Sequence, residues 1–142
     1  MHLVFSTRGR VGWLRDRAVR AAVHTYLAGI CDRMDSPALI VGGVADHVHV
    51  LCNQSRKVAL KDLVQHLKQD SSKWVKAEWP HLRRFFWQKG YGAFSVGPWG
   101  VDRVRDYIAG QERHHQKVDF KKELIATLIQ YDVPYDERYL WD

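Results

Sequence analysis

The chain has 142 residues, of which 46% are hydrophobic, enough for one domain with a single core. It shows no signal peptide and no apolar run long enough to span a bilayer, so we expect a cytoplasmic protein and exclude membrane and secreted classes. Its 22 Lys and Arg against 16 Asp and Glu give a net charge of +6, which favours an anionic partner, usually nucleic acid. Cys31 and Cys52 are predicted to be buried, unpaired thiols.

The first third of the chain predicts a strand, a helix and a hairpin. Residues 2–7 are rich in strand formers, and apolar positions recur at helical spacing over 16–34, before Pro37 ends the segment. Two more β-rich runs, 38–44 and 47–53, are joined tightly enough to pair as a hairpin. The helix is therefore expected to pack on a sheet.

The rest of the chain completes the pattern. A second helix is predicted over 59–78, a fourth strand within 88–96, a helix bearing Tyr107, and a last helix capped by Asp119, followed by a tail over 131–142. The order strand-helix-strand-strand-helix-strand predicts an α+β fold of the ferredoxin-like or RRM-like kind. We expect an antiparallel sheet with helices packed against it, a tyrosine-bearing helix after the fourth strand, and one domain over 1–142.

Two surfaces allow two interpretations each. Basic residues lie on the outer face of helix 59–78 and just before it. They are Lys57, Lys61, Lys68, Lys73 and Lys76. They are compatible with an ordinary solvated face or with a surface that follows the phosphates of a nucleic acid. The aromatic run Phe85-Phe86-Trp87 suits stacking on unpaired bases, but packing in the core is the better prediction.

A histidine pair lies on the third predicted strand. Because side chains alternate along a strand, His47 and His49 share one face, and Val48 and Val50 point to the other. Two imidazoles on rigid structure can bind one cation. Asp46 could tune His47, although an aspartate that serves the turn is the better prediction.

Tyr107 and Gln111 lie one helical turn apart, so on one helix they share a face. Imidazoles suit first-row transition metals and an amide oxygen suits Mg²⁺ or Mn²⁺, so His47, His49 and Gln111 form a mixed ligand set. A cation there would act as a Lewis acid on a phosphate oxygen, and Tyr107 would be the nucleophile.

Other histidines and tyrosines are weaker candidates. His114 and His115 could be further ligands or phosphate contacts, but solvated histidines at a helix end are the better prediction. Tyr26, Tyr91 and Tyr131 are rival nucleophiles in principle. None of these three has a predicted ligand one turn away, as Tyr107 has.

These motifs resemble those of the single-tyrosine HUH transposases of small insertion sequences and of their relatives, the REP-associated tyrosine transposases. The similar stretches are residues 46–51, with histidines on either side of a hydrophobic residue, and residues 107–112, which His114-His115 follow. Residues 4–7 and 91–94 are similar too. The resemblance covers nearly the whole chain.

The resemblance implies a DNA transposase in which His47, His49 and Gln111 hold Mg²⁺ or Mn²⁺ and Tyr107 attacks a DNA phosphate. It implies a 5′-phosphotyrosine and a free 3′-OH on single-stranded DNA, without a nucleotide cofactor. It also implies recognition of hairpins at element ends, and a homodimer in which the tyrosine helix can complete the partner's histidine site.

Two other functions are compatible with the same residues. A non-catalytic single-stranded nucleic-acid-binding module would use the sheet face, as RRM-like domains do, and would need no cation. A metal-dependent nuclease would use water for the attack, which would leave Tyr107 dispensable.

Overall fold

The computed structural model describes residues 1–116, 118–136 and 140. The strands are β1 His2–Ser6, β2 Ala38–Gly43, β3 His47–Cys52 and β4 Gly92–Phe94. The helices are α1 Arg17–Arg33, α2 Leu60–Glu78, α3 Val101–Ala109, α4 Gln111–His114 and α5 Phe120–Gln130. The predicted tail lies partly outside the described residues, at 137–139 and 141–142.

The strands form one sheet in the order β2-β3-β1-β4, with every neighbouring pair antiparallel. The α+β, ferredoxin-like arrangement predicted from the element order is confirmed. The β2–β3 hairpin requires glycine at position 43, where φ is +155° and a Cβ would lie 2.3 Å from the carbonyl oxygen of His47. This turn fixes the register of β3, and therefore the face on which His47 and His49 lie.

One face of the sheet packs against α1 and α2. Leu3 and Phe5 of β1 and Val48 and Val50 of β3 are buried there among apolar residues of the two helices. Asp16 begins α1, because its carboxylate accepts hydrogen bonds from the backbone N–H groups of Ala18 and Val19. We call this side the apolar face.

The opposite face of the sheet carries α3, α4 and α5. On α5, Phe120, Leu124 and Leu128 pack against Val4 and Phe94 of the sheet. The Asp119 carboxylate accepts a hydrogen bond from the N–H of Lys122, 2.9 Å away, so the predicted cap of the last helix is confirmed. Because its buried side chains include a group of polar residues, we call this side the polar face.

Close packing of α3 on β2 depends on Gly42. A Cβ at this position would lie 2.8 Å from Cγ2 and 2.9 Å from the carbonyl oxygen of Ile108. The absence of a side chain lets α3 settle against the sheet, which brings Tyr107 towards β3.

The aromatic run divides between core and surface. Phe85 and Trp87 are buried, as predicted, whereas Phe86 is 48% exposed and lies under the Lys76 ammonium group. Lys68 donates to the carbonyl oxygens of Gln88, Lys89 and Gly90 and so anchors the loop before β4. At least this lysine of the basic set has a structural role.

Cys31 and Cys52 are both buried and unpaired, as predicted. Within the described ranges, none of the helices combines the length and the apolar character needed to cross a bilayer.

Candidate active site

The histidine pair lies on β3, in the middle of the polar face. His47 is opposite Ser6 and His49 is opposite Val4 in the β1–β3 register. Both imidazoles are almost fully excluded from solvent. The predicted alternation is confirmed, because Val48 and Val50 lie in the core on the other side.

Gln111 and Tyr107 reach the histidines from above the sheet. Gln111 Oε1 lies 3.2 Å from His47 Nε2, and the Tyr107 ring stands perpendicular to that of His49, with 5.7 Å between ring centroids. The prediction that both residues share one continuous helix is wrong. Helix α3 ends at Ala109, and Gly110, at φ −91° and ψ 12°, separates it from α4. The four predicted site residues nevertheless meet at one point.

A residue that sequence reasoning missed, Glu123 of α5, lies at the centre of this group. Its Oε1 is 2.9 Å from His49 Nε2 and 3.4 Å from His47 Nε2. Its Oε2 accepts hydrogen bonds from the Tyr107 hydroxyl and from Gln111 Nε2, the latter at 3.2 Å. Glu123 therefore contacts all four predicted site residues.

The donor atoms fit a divalent cation. One atom each from His47, His49, His115 and Glu123 lie within 4.8 Å of one another. Ligands about 2.1 Å from a common ion are about 3 Å apart when adjacent and about 4 Å apart when opposite, so the separations in this cluster are close to those of a metal site. The His/Glu group, together with Gln111 Oε1 beside it, could hold a divalent metal.

One known protein family matches most of the chain. The model of the family described as "Transposase IS200 like" matches residues 1–111. The chain belongs to this family. The matched range includes His47, His49, Tyr107 and Gln111, and it ends before His115 and Glu123.

Two relatives are named as the transposase for insertion sequence element IS200, one from Salmonella typhimurium and one from Salmonella typhi. Each is 29% identical to this chain over 97 residues, and the match covers 65% of this chain and 63% of the relative. The chain thus spans less than two thirds of the length of these relatives.

Two solved structures share the fold. A protein from Deinococcus radiodurans R1, described as a candidate transposase, has a TM-score of 0.63 at 23% identity and covers 78% of this chain and 88% of its own. A REP-associated tyrosine transposase bound to a REP hairpin has a TM-score of 0.59 at 12% identity, covering 82% of this chain and 68% of its own. At these identities the likeness supports the sheet and helix arrangement.

Two expectations about residues near the site are wrong. His115 is not a solvated helix-end residue: its side chain is only 8% exposed, and its Nε2 lies 2.9 Å from Glu123 Oε2. His114, 33% exposed, approaches the same oxygen at 3.2 Å without the geometry of a hydrogen bond. Asp46 does more than shape a turn, because its Oδ1 lies 2.7 Å from His47 Nδ1 and so orients that ring towards the site.

Burial and hydrogen bonding shift the pKa values of the ionisable side chains at the site. Burial lowers the pKa of His47, but hydrogen bonds with Asp46 and Glu123 outweigh burial and raise it to about 9. Burial raises the pKa of the Glu123 carboxyl, yet hydrogen bonds with His115, His47 and His49 outweigh this and hold it well below its usual range. Burial and the adjacent Glu123 carboxylate raise the pKa of Tyr107. The phenol is therefore protonated and donates to an ionised carboxylate.

Two grooves that carry basic side chains flank the site. The first, of about 500 Å³, passes His115 and Asp46 and is lined by Arg10, Arg15, Arg17 and Arg20; Asp119 and Glu112, which pairs with Arg17 and Arg20, also line it. We call it the arginine groove. The second, of about 350 Å³, opens at Tyr107 and Glu123 and carries Arg103 and Lys122. We call it the tyrosine groove. An extended anionic chain could therefore approach the site from both sides.

The sequence contains a pattern that points to Glu123. Phe120, Leu124 and Leu128 recur at helical spacing, and Glu123 lies on the same stripe of α5. A carboxylate inside an apolar stripe must be paired when the helix docks.

Proposed function

We propose that this protein cleaves and rejoins single-stranded DNA through a covalent 5′-phosphotyrosine formed on Tyr107. The observation that carries the proposal is the convergence of the Tyr107 hydroxyl, two imidazoles and an amide oxygen at one point between two grooves that carry basic side chains. Membership of the IS200-like transposase family supports it.

The reaction is a transesterification in two balanced steps. In the first, the Tyr107 oxygen attacks a DNA phosphorus atom, the bond from phosphorus to the 3′ oxygen breaks, and that oxygen leaves as a 3′-OH. In the second, a 3′-OH attacks the phosphotyrosine and the phenol is released. One phosphoester bond replaces another at each step, so no nucleotide cofactor is consumed.

Residues of the polar face would hold a divalent cation beside the phenol. We propose His47, His49 and Gln111 as its ligands and Mg²⁺ or Mn²⁺ as its identity, because the set mixes imidazoles with an amide oxygen. When bound, the cation would supply Lewis-acid stabilisation of the attacked phosphate and favour loss of the phenol proton. Asp46 would keep His47 Nε2 directed at the site.

The grooves would hold the DNA strand on either side of the scissile phosphate. Arg10 and Arg15 in the arginine groove and Arg103 and Lys122 in the tyrosine groove are placed to contact backbone phosphates. The REP-associated relative in complex with a REP hairpin supports a substrate of the same kind, single-stranded DNA with a hairpin near the cleavage site.

We further propose that the protein acts as a homodimer. The site need not be shared between its subunits, because Tyr107 and both histidines of one chain already lie together. A sedimentation experiment measures the oligomeric state. Mixing a Tyr107→Phe chain with a His49→Ala chain distinguishes a site closed within one chain from a shared one, since only a shared site would regain activity.

The decisive experiment incubates the protein with 5′- or 3′-labelled single-stranded hairpin DNA and Mn²⁺ or EDTA, followed by a denaturing protein gel. We expect a Mn²⁺-dependent protein–DNA adduct that disappears in Tyr107→Phe. Tyr26→Phe is the matched control, because Tyr26 stacks on Trp74 on the apolar face and its ring is kept.

Other outcomes would overturn the proposal. Cleavage without an adduct that survives Tyr107→Phe would establish a metal-dependent nuclease. Binding that is insensitive to EDTA, with no cleavage, would establish a non-catalytic binding module.

A further inference from the structure

We propose that Glu123 of α5 is a further ligand of the divalent cation through Oε1, and that its Oε2 positions the Tyr107 hydroxyl. The inference rests on the proposed function, since it concerns the same cation and the same nucleophile. It adds a residue that lies beyond the family match, which ends at Gln111.

The position of Oε1 supports the ligand role. This oxygen lies 2.9 Å from His49 Nε2 and 3.4 Å from His47 Nε2, separations close to the value of about 3 Å for adjacent ligands of one ion. His115 belongs to the same compact group of donors. A carboxylate oxygen would add a full negative charge to a set that otherwise consists of neutral imidazoles and an amide when the cation is bound.

The other oxygen faces the nucleophile. Glu123 Oε2 accepts the hydrogen bond of the Tyr107 hydroxyl, and Gln111 Nε2 and His115 Nε2 lie 3.2 Å and 2.9 Å from it. These two neighbours fix the orientation of the carboxylate. One side chain thus links the cation ligands to the attacking oxygen, with one oxygen assigned to each.

Glu123 turns its carboxylate towards the site residues rather than into the apolar core. Glu123 is 4% exposed and lies on the stripe of α5 that packs on the sheet, where an apolar side chain would complete the core. Burying a carboxylate is costly unless it is paired. The side chains that pair with it here are imidazoles, an amide and a phenol, the same groups that we propose as cation ligands and nucleophile.

The proposed ligands also indicate which metal ion should bind most tightly. A set that combines imidazoles with one carboxylate and one amide oxygen is better matched to a first-row transition ion than to Mg²⁺, which prefers oxygen ligands throughout and retains water. We therefore expect Mn²⁺ to bind more tightly than Mg²⁺.

The first test is calorimetric titration with Mn²⁺ alone, without DNA, on the full chain. Glu123→Gln keeps the shape of the side chain and removes its charge, and we expect the Kd for Mn²⁺ to rise by about tenfold or more. Glu78→Gln, the same change at an exposed position of α2, should leave the Kd unchanged. His47→Ala should weaken binding at least as strongly as Glu123→Gln.

The results separate this inference from the proposed function. Normal Mn²⁺ affinity in Glu123→Gln, with affinity lost in His47→Ala, would overturn the ligand role and leave the proposed function standing. No Mn²⁺ binding by the wild-type chain would overturn both. Circular dichroism checks folding; should Glu123→Gln not fold, Glu123→Asp withdraws the oxygens by one methylene, and weaker binding is again expected.

The positioning role is tested at saturating Mn²⁺. We expect Glu123→Gln to form the Tyr107 adduct about tenfold more slowly, with the DNA concentration for half-maximal rate unchanged. A rate restored fully by Mn²⁺ would overturn the positioning of Tyr107. A changed DNA requirement with an unchanged maximal rate would overturn it as well.

Discussion

The two faces of the central sheet bury side chains of different kinds. On the apolar face, Phe5, Val48 and Val50 meet α1 and α2 in a continuous apolar cluster, whose burial stabilises the fold. On the polar face, a smaller cluster around Phe120 and Leu124 borders buried histidines and a carboxylate. The same strands serve both faces because side chains alternate. Stability is therefore concentrated on one side of the sheet, and the costly buried polar groups lie on the other.

Acid should destabilise the protein where α1 lies beside β2 and α3. His24 of α1 faces the cavity next to Gly42 and Ile108, and its buried Nε2 has no hydrogen-bond partner among the described side chains. Burial, aided by Arg20, lowers its pKa from 6.5 to about 4. Because the unfolded chain binds this proton first, the stabilisation is complete above pH 6.5 and is lost as the pH falls towards 4.

The measurement is urea unfolding at pH 7.5 and pH 4.5. His24 contributes about 2 kcal/mol to the difference in the free energy of unfolding between these pH values, and His24→Gln should remove that part of the acid-induced loss. His66→Gln is the control, since the His66 side chain is 54% exposed. An acid-induced loss in His24→Gln equal to that of the wild type would show that His24 is not the group responsible.

Close packing of α3 should make the polar face sensitive to a single methyl group. Gly42→Ala places a Cβ within 3 Å of Ile108 atoms, one of them in the backbone, so α3 must shift. We expect a loss of about 2 kcal/mol in the free energy of unfolding, and slower adduct formation because Tyr107 moves with the helix. Gly97→Ala, where no atom lies within 4 Å of the new Cβ, is the matched control. Equal effects in the two variants would contradict tight packing of α3 on β2.

Local patterns were enough to predict the sheet, and the face on which each β3 side chain lies. Alternation placed His47 opposite to Val48, and Asp16 and Asp119 begin helices because a carboxylate satisfies free N–H groups at a helix start. The break at Gly110 was not foreseen, since a single glycine is also tolerated inside a helix. Its effect is small, because Gln111 still reaches His47.

Glu123 and the arginine groove were missed for a different reason. Glu123 joins the site only when α5 docks on the sheet, and the periodicity of a helix does not say which surface its apolar stripe will cover. Arg10 ends a short 3-10 helix after β1 and Arg20 lies on α1, and they share a groove with His115 only in the folded chain. Contacts between distant segments are set by packing, so local patterns do not report them.

Removing either of two helix caps should have the smallest effect on stability, but only one of the two removals should affect the polar face. Asp16 caps α1, which packs on the apolar face, and Asp119 caps α5, which carries Glu123. Replacing either by alanine should cost about 1 kcal/mol in the free energy of unfolding, because one cap is lost in each case. Only Asp119→Ala should also weaken Mn²⁺ binding in a calorimetric titration, since fraying of the first turn of α5 loosens the position of Glu123. A weakening of the same size in Asp16→Ala would mean that cation affinity follows global stability. The conclusion that the apolar face stabilises the fold while the polar face holds the cation would then be wrong.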